Sequence, residues 1–147
     1  MKAEYTIEKP EDFREIIDDL LLEHQSEESL VITLTGDLGA GKTAFAKELA
    51  AYFGVTEPVT SPTFTIMKKY QLESEKFSEL IHIDAYRIES EDEVGPLDLD
   101  SLVGEKRNII AIEWPERILS TLPANFYNLT LKITEGDTRL VTASRNN

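Results

Sequence analysis

Residues 36–43 read GDLGAGKT, with Gly36, Gly41, Lys42 and Thr43 at the spacing of a phosphate-binding loop. The loop comprises Gly36, Asp37, Leu38, Gly39, Ala40, Gly41, Lys42 and Thr43. Its glycines let the backbone curl until successive N–H groups converge on one point, a concavity that suits phosphate oxygens. Lys42 would reach the β- and γ-phosphates of a nucleotide, and the Thr43 hydroxyl would ligate Mg²⁺. The flanks decide whether so short a string carries this meaning. Before it, Leu30–Thr35, LVITLT, is a β-branched apolar run of the kind that makes a buried strand. After it, Phe45, Leu49, Tyr52 and Phe53 recur at helical spacing across residues 42–53, and Gly54 stands where a C-terminal cap belongs. The helix would then aim its free N–H groups and the positive end of its dipole at the phosphates. Strand, loop and helix in register predict nucleotide binding.

The chain has 147 residues, which suits one domain over residues 1–147. A chain of that size buries roughly 68–70% of the surface its unfolded form exposes. No apolar run approaches the about 18 residues of a membrane span, and no basic stretch leads into an apolar one, so neither a span nor a secretory signal is expected. The absence of cysteine excludes disulfides and thiolate metal sites and points to the cytoplasm. A formal net charge of −13 opposes direct binding to nucleic acid and makes another protein the expected partner. Lys68 and Lys69 beside Tyr70 are the nearest approach to a basic patch and read as a solvated strand face.

Elsewhere, residues 3–7 read as a strand, and Pro10 with Glu11 and Asp12 behind it opens a helix. Phe13, Ile16, Ile17, Leu20 and Leu21 form its apolar face. Residues 64–72 and 80–83 read as two strands of a hairpin, with Phe64, Ile66, Tyr70 and Leu72 sharing one face of the first. The acidic stretch 89–100 is expected to hold one short helix begun at Ser90, with Glu93 completing a capping box. Residues 108–112 read as a buried strand, and 126–133 and 138–143 as a hairpin around Gly136. The pattern predicts an α/β fold: a P-loop NTPase-like open sheet with a parallel centre, antiparallel edge hairpins and helices on both faces. Ligands of such sheets sit beyond the carboxyl ends of the strands.

Two acids stand at strand ends. Glu113 follows four apolar residues, Ile109, Ile110, Ala111 and Ile112, and Asp84 follows Leu80, Ile81, His82 and Ile83. Phosphoryl transfer requires charge neutralisation and positioning, so a carboxylate near Mg²⁺ and a group that orients water must join the loop. Glu113 and Asp84 are the candidates. The Ser61 and Thr63 hydroxyls either face the γ-phosphate or stabilise a turn. Arg87 either pairs with an acid or touches a phosphate. His24 and His82 read as core or hydrogen-bonded residues, since neither has a second His or Cys nearby.

Taken together, GDLGAGKT, SPTFT at 61–65, HIDAYR at 82–87 and EWPE at 113–116 resemble the TsaE family in order and spacing. TsaE proteins are bacterial ATPases that take part in making threonylcarbamoyladenosine on tRNA. The resemblance implies that Thr43 and Glu113 bind Mg²⁺, that Lys42 and the loop amides bind ATP, that Asp84 is needed for hydrolysis and that Trp114 lies near the nucleotide. It also implies two partners, a TsaD-like transferase and a TsaB-like companion, with tRNA met only through that complex. From the residues alone, a small-molecule kinase and a nucleotide-dependent binding switch remain open. The chain's six arginines are scattered and form no obvious lid of the kind kinases carry.

Overall fold

The computed structural model describes residues 1–60 and 66–146. In chain order, Glu4–Ile7 (β1) leads through a 3₁₀ turn, Pro10–Asp12, into Phe13–Glu23 (α1). Leu30–Thr35 (β2) and Lys42–Tyr52 (α2) follow, then Met67–Gln71 (β3) and Glu79–Asp84 (β4). Glu91–Leu97 is 3₁₀, Leu99–Gly104 is α3, and Asn108–Glu113 (β5), Phe126–Ile133 (β6) and Arg139–Asn146 (β7) complete the elements. Two further 3₁₀ turns, Pro115–Arg117 and Leu119–Thr121, lie between β5 and β6.

The strands form one sheet of seven in the order β1-β7-β6-β2-β5-β4-β3. Its centre, β6, β2, β5 and β4, is parallel, and β1, β7 and β3 pair antiparallel at the two sides. The parallel strands β2 and β5 are buried along nearly their whole length, as strands covered on both faces must be. Period-two alternation sorts their side chains into two cores. Leu30, Ile32, Leu34 and Ile109 pack with Phe13, Ile16, Phe45 and Leu49 of α1 and α2. Val31, Ile81, Ile83, Ile110 and Ile112 pack on the other face with Val94, Leu99 and Ile118. Phe13 and Phe45 meet edge to face at 5.5 Å, joining the two helices of the first core. The same alternation puts His82 and Asp84 on the α1/α2 side of β4, in step with Leu80.

Four elements differ from the sequence reading. The Ser90 capping box forms, with Glu93 accepting the Glu89 and Ser90 N–H groups at 2.6 and 3.0 Å, but the turn it opens is 3₁₀. Pro96 supplies no N–H to continue it, and Asp98 at φ 52° ends it, so a separate α3 begins where one helix was expected. The Pro10 helix starts as 3₁₀ and becomes α-helical at Phe13. In the first hairpin strand, β3 begins at Met67, Ile66 precedes it at φ 65°, and residues 61–65 lie outside the described residues. The last strand is longer than expected because β7 pairs with β6 along its full length. Among the described residues no helix is long and apolar enough to cross a membrane.

Candidate functional site

β2 delivers the 36–43 loop to the carboxyl end of the parallel strands, the same end at which β4 stops at Asp84 and β5 at Glu113. The loop is seated directly against β6. A Cβ on Gly36 would lie 2.5 Å from the Leu131 carbonyl oxygen, so no side chain fits there unless β6 moves. Gly41 precedes α2 at φ 110°, a left-handed conformation that favours glycine. Gly36→Ala is therefore expected to destabilise the fold by about 1–3 kcal/mol, the usual range for overpacking. A denaturant midpoint equal to that of the unmodified chain would show that β6 yields instead.

Lys42, the first residue of α2, is 4% exposed. Its ammonium donates to the carbonyls of Gly36 and, at 3.3 Å, Asp37, and lies 3.7 Å from the centroid of the Trp114 ring. Burial lowers its pKa from the ordinary lysine value, against the field of Glu113, Glu116, Asp84 and Asp37, which favours the charged form. Trp114 reaches over the lysine because its backbone turns left-handed directly after β5, at φ 59°, while its N–H bonds the Leu34 carbonyl at 3.3 Å. The Tyr86 ring packs beside it, tilted by 49° at a centroid separation of 5.0 Å, and the Arg117 guanidinium lies 6.0 Å from the Tyr86 ring.

Glu113 is 3% exposed. Its carboxylate accepts from the Thr43 hydroxyl, 3.1 and 3.2 Å from its two oxygens, and from His82 Nε2 at 2.6 Å. Asp84 pairs with Glu113 in the β4–β5 register, is 5% exposed, and accepts the Tyr86 N–H at 3.0 Å. A cleft of about 330 Å³ opens between the loop and these acids, lined by Gly39, Lys42, Thr43, Asp84, Glu113 and Trp114. The candidate residues are thus gathered at one place: the loop, both acids and the tryptophan.

Ser61 and Thr63 lie outside the described residues, and Arg87 is exposed beyond the end of β4. His24 sits at the opposite end of the sheet, bonded to the Glu28 carbonyl at 2.8 Å, beside a cavity of about 430 Å³. Two contacts were not read from the sequence. One is the His82 bond to Glu113. The other is Arg139, whose Nε and Nη2 donate to the loop carbonyls of Ala40 and Gly39 at 3.1 and 3.2 Å. An arginine opening a C-terminal strand carries no local sign of that role.

A family model described as threonylcarbamoyl adenosine biosynthesis protein TsaE matches residues 7–141. The tRNA threonylcarbamoyladenosine biosynthesis protein TsaE of Bacillus subtilis (strain 168) is 40% identical over 112 residues, 76% of this chain and 67% of the relative. Its counterpart in Rickettsia bellii (strain RML369-C) is 36% identical over 111 residues, 75% and 74% of the two chains. Among solved structures, a crystal structure of Bacillus subtilis YdiB matches with a TM-score of 0.72 at 30% identity, covering 97% of this chain and 84% of that one. The family model takes in the glycine loop, both acids and the tryptophan, and the chain belongs to the TsaE family, the proteins of tRNA threonylcarbamoyladenosine biosynthesis.

Proposed function

We propose that this chain is a Mg²⁺-dependent ATPase whose hydrolytic cycle supports turnover of the complex that makes threonylcarbamoyladenosine on tRNA. The observation that carries the reading is the contact of the Thr43 hydroxyl with the Glu113 carboxylate, 70 residues apart in sequence, beside the buried Lys42 ammonium. A hydroxyl and a hard carboxylate oxygen suit Mg²⁺, which is held by one or two protein carboxylates and completes its shell from phosphate and water. Among the described residues no cluster of three or more His, Cys, Asp or Glu could hold a metal, so such a protein-only cage is not what these residues offer.

In this reading Lys42 and the amides of the 36–43 loop hold the phosphates, with α2 directing its N-terminal dipole at them. Thr43 and Glu113 would hold the metal, which would supply neutralisation of the charge on the phosphates. Asp84, its carboxylate steadied by the Tyr86 N–H, orients the attacking water. Trp114 closes the cleft beside the nucleotide. Arg139 acts on the loop from behind: a trans peptide carries its C=O and N–H on opposite sides, so fixing the Ala40 carbonyl fixes the direction of the Gly41 N–H. Arg139→Gln is expected to weaken ATP binding about tenfold, the worth of one charge-assisted hydrogen bond. A dissociation constant unchanged in equilibrium titration would restrict Arg139 to a structural role.

The partners fitting this reading are a TsaD-like transferase and a TsaB-like companion. A net charge of −13 suits an ATPase that serves tRNA chemistry without holding tRNA itself. The test is phosphate release from ATP by the chain alone, with candidate small acceptors, and with the two partner proteins and tRNA. Release that depends on Mg²⁺ and rises with the partners is expected. Phosphorylation of a small acceptor would make the chain a kinase, and binding without release under any condition would make it a switch.

A further inference from the structure

His82 is fully buried in β4, and its Nε2 lies 2.6 Å from Glu113 Oε2. Its other ring nitrogen, Nδ1, is buried with no hydrogen-bond partner among the described residues. These two facts decide which ring nitrogen carries the proton facing Glu113. With the proton on Nδ1, the Nε2 lone pair would face a carboxylate at hydrogen-bond distance and a buried N–H donor would be orphaned. With the proton on Nε2, the ring donates a charge-assisted bond to Glu113 and leaves only a bare acceptor, the cheaper group to leave unmet. The strand pairing makes room for this contact. His82 stands opposite Ala111, whose small side chain leaves the ring free to reach diagonally to Glu113, two residues further along β5.

We infer that His82 is a positioning residue that pins the Glu113 carboxylate through an Nε2–H bond, presetting it and Thr43 for a divalent cation. This rests on the metal role proposed above for Glu113. A carboxylate held at Oε2 by a buried donor cannot swing freely about its terminal torsion. Its Oε1 is left with the Thr43 hydroxyl as its sole partner among the described residues, at 3.2 Å. The ordering cost that cation binding would otherwise impose on Glu113 is met in folding. Partners that orient a metal ligand in this way typically contribute about 10–100-fold to metal affinity or activity.

The test uses the intact chain and three variants, His82→Gln, His82→Asn and His82→Leu. The Gln side-chain nitrogen falls where Nε2 lies, the Asn nitrogen falls nearer Nδ1, and Leu offers no donor. Each protein is titrated with ATP in EDTA, then with Mg²⁺ at fixed ATP, following phosphate release and the fluorescence of Trp114. His82→Gln is expected to keep the half-saturating Mg²⁺ concentration near that of the unmodified chain, and Asn and Leu to raise it about tenfold or more. Binding of ATP in EDTA should be alike in all four. Asn or Leu variants with unaltered Mg²⁺ dependence, or Gln as impaired as Leu, would overturn the inference and leave the ATPase reading standing. Loss of metal-free ATP binding in all three variants, with lowered melting temperatures, would reduce His82 to a core residue. An unmodified chain whose binding and turnover ignore Mg²⁺ would overturn the reading and this inference with it.

Discussion

Lys42→Ala is expected to weaken ATP binding by about 10²–10³-fold, corresponding to about 3–4 kcal/mol for removing one partner of a buried charge-assisted contact. The size of the effect follows from where the ammonium sits. It is 4% exposed, held by two loop carbonyls and the Trp114 ring, and burial has already lowered its pKa. Such a cation has given up most of its hydration, so the step from loop carbonyls to phosphate oxygens exchanges one set of partners for another of higher charge with little further desolvation. An alanine keeps the helix propensity of that position while removing the charge. Trp114 is the chain's one tryptophan and lies 3.7 Å from the ammonium, so its fluorescence reports both the substitution and any nucleotide that displaces the lysine. Equal affinity in the variant would remove the 36–43 loop as a phosphate site and the ATPase reading with it.

What was legible in the sequence was what short-range patterns encode. The LVITLT run, the glycines of the loop and the helical spacing of Phe45 and Leu49 are local signals, and each element stands where they point. Pairing is another matter. That Asp84 and Glu113 stand side by side depends on the parallel register of β4 and β5, which strand patterns read one at a time do not specify. His82 illustrates the consequence. Read alone, a histidine inside an apolar strand is a core residue; its bond to Glu113 spans 31 residues and requires Ala111 opposite it. Arg139 is further removed, reaching Ala40 across 99 residues from a strand whose only sequence signature is its hairpin turn. The difference at residues 91–97 has a local cause instead. The capping box read correctly as a helix start, but whether the turn continued as α or 3₁₀ depended on Pro96 and the left-handed Asp98 together.

Those long-range contacts set the expectation for Glu113→Gln, which retains the size of the side chain and an oxygen to accept hydrogen bonds while removing its charge. Phosphate release is expected to fall about 10²–10³-fold, the scale on which a preorganised electrostatic group acts on a transition state. ATP binding in EDTA should change by less than about threefold, because phosphate affinity rests on Lys42 and the loop amides rather than on this acid. The substitution also has a consequence at Lys42. Burial lowers the lysine pKa and the Glu113 charge is the first of the groups that oppose that shift. Without it the pKa falls further, so Lys42 loses its proton at lower pH, and the alkaline decline of metal-free ATP binding should begin earlier in the variant than in the unmodified chain. An alkaline limb that stays in place would show that the Glu113 charge does not act on Lys42. Undiminished phosphate release in Glu113→Gln would take the metal from Glu113 and assign it to Asp84, the one other buried acid lining the cleft among the described residues.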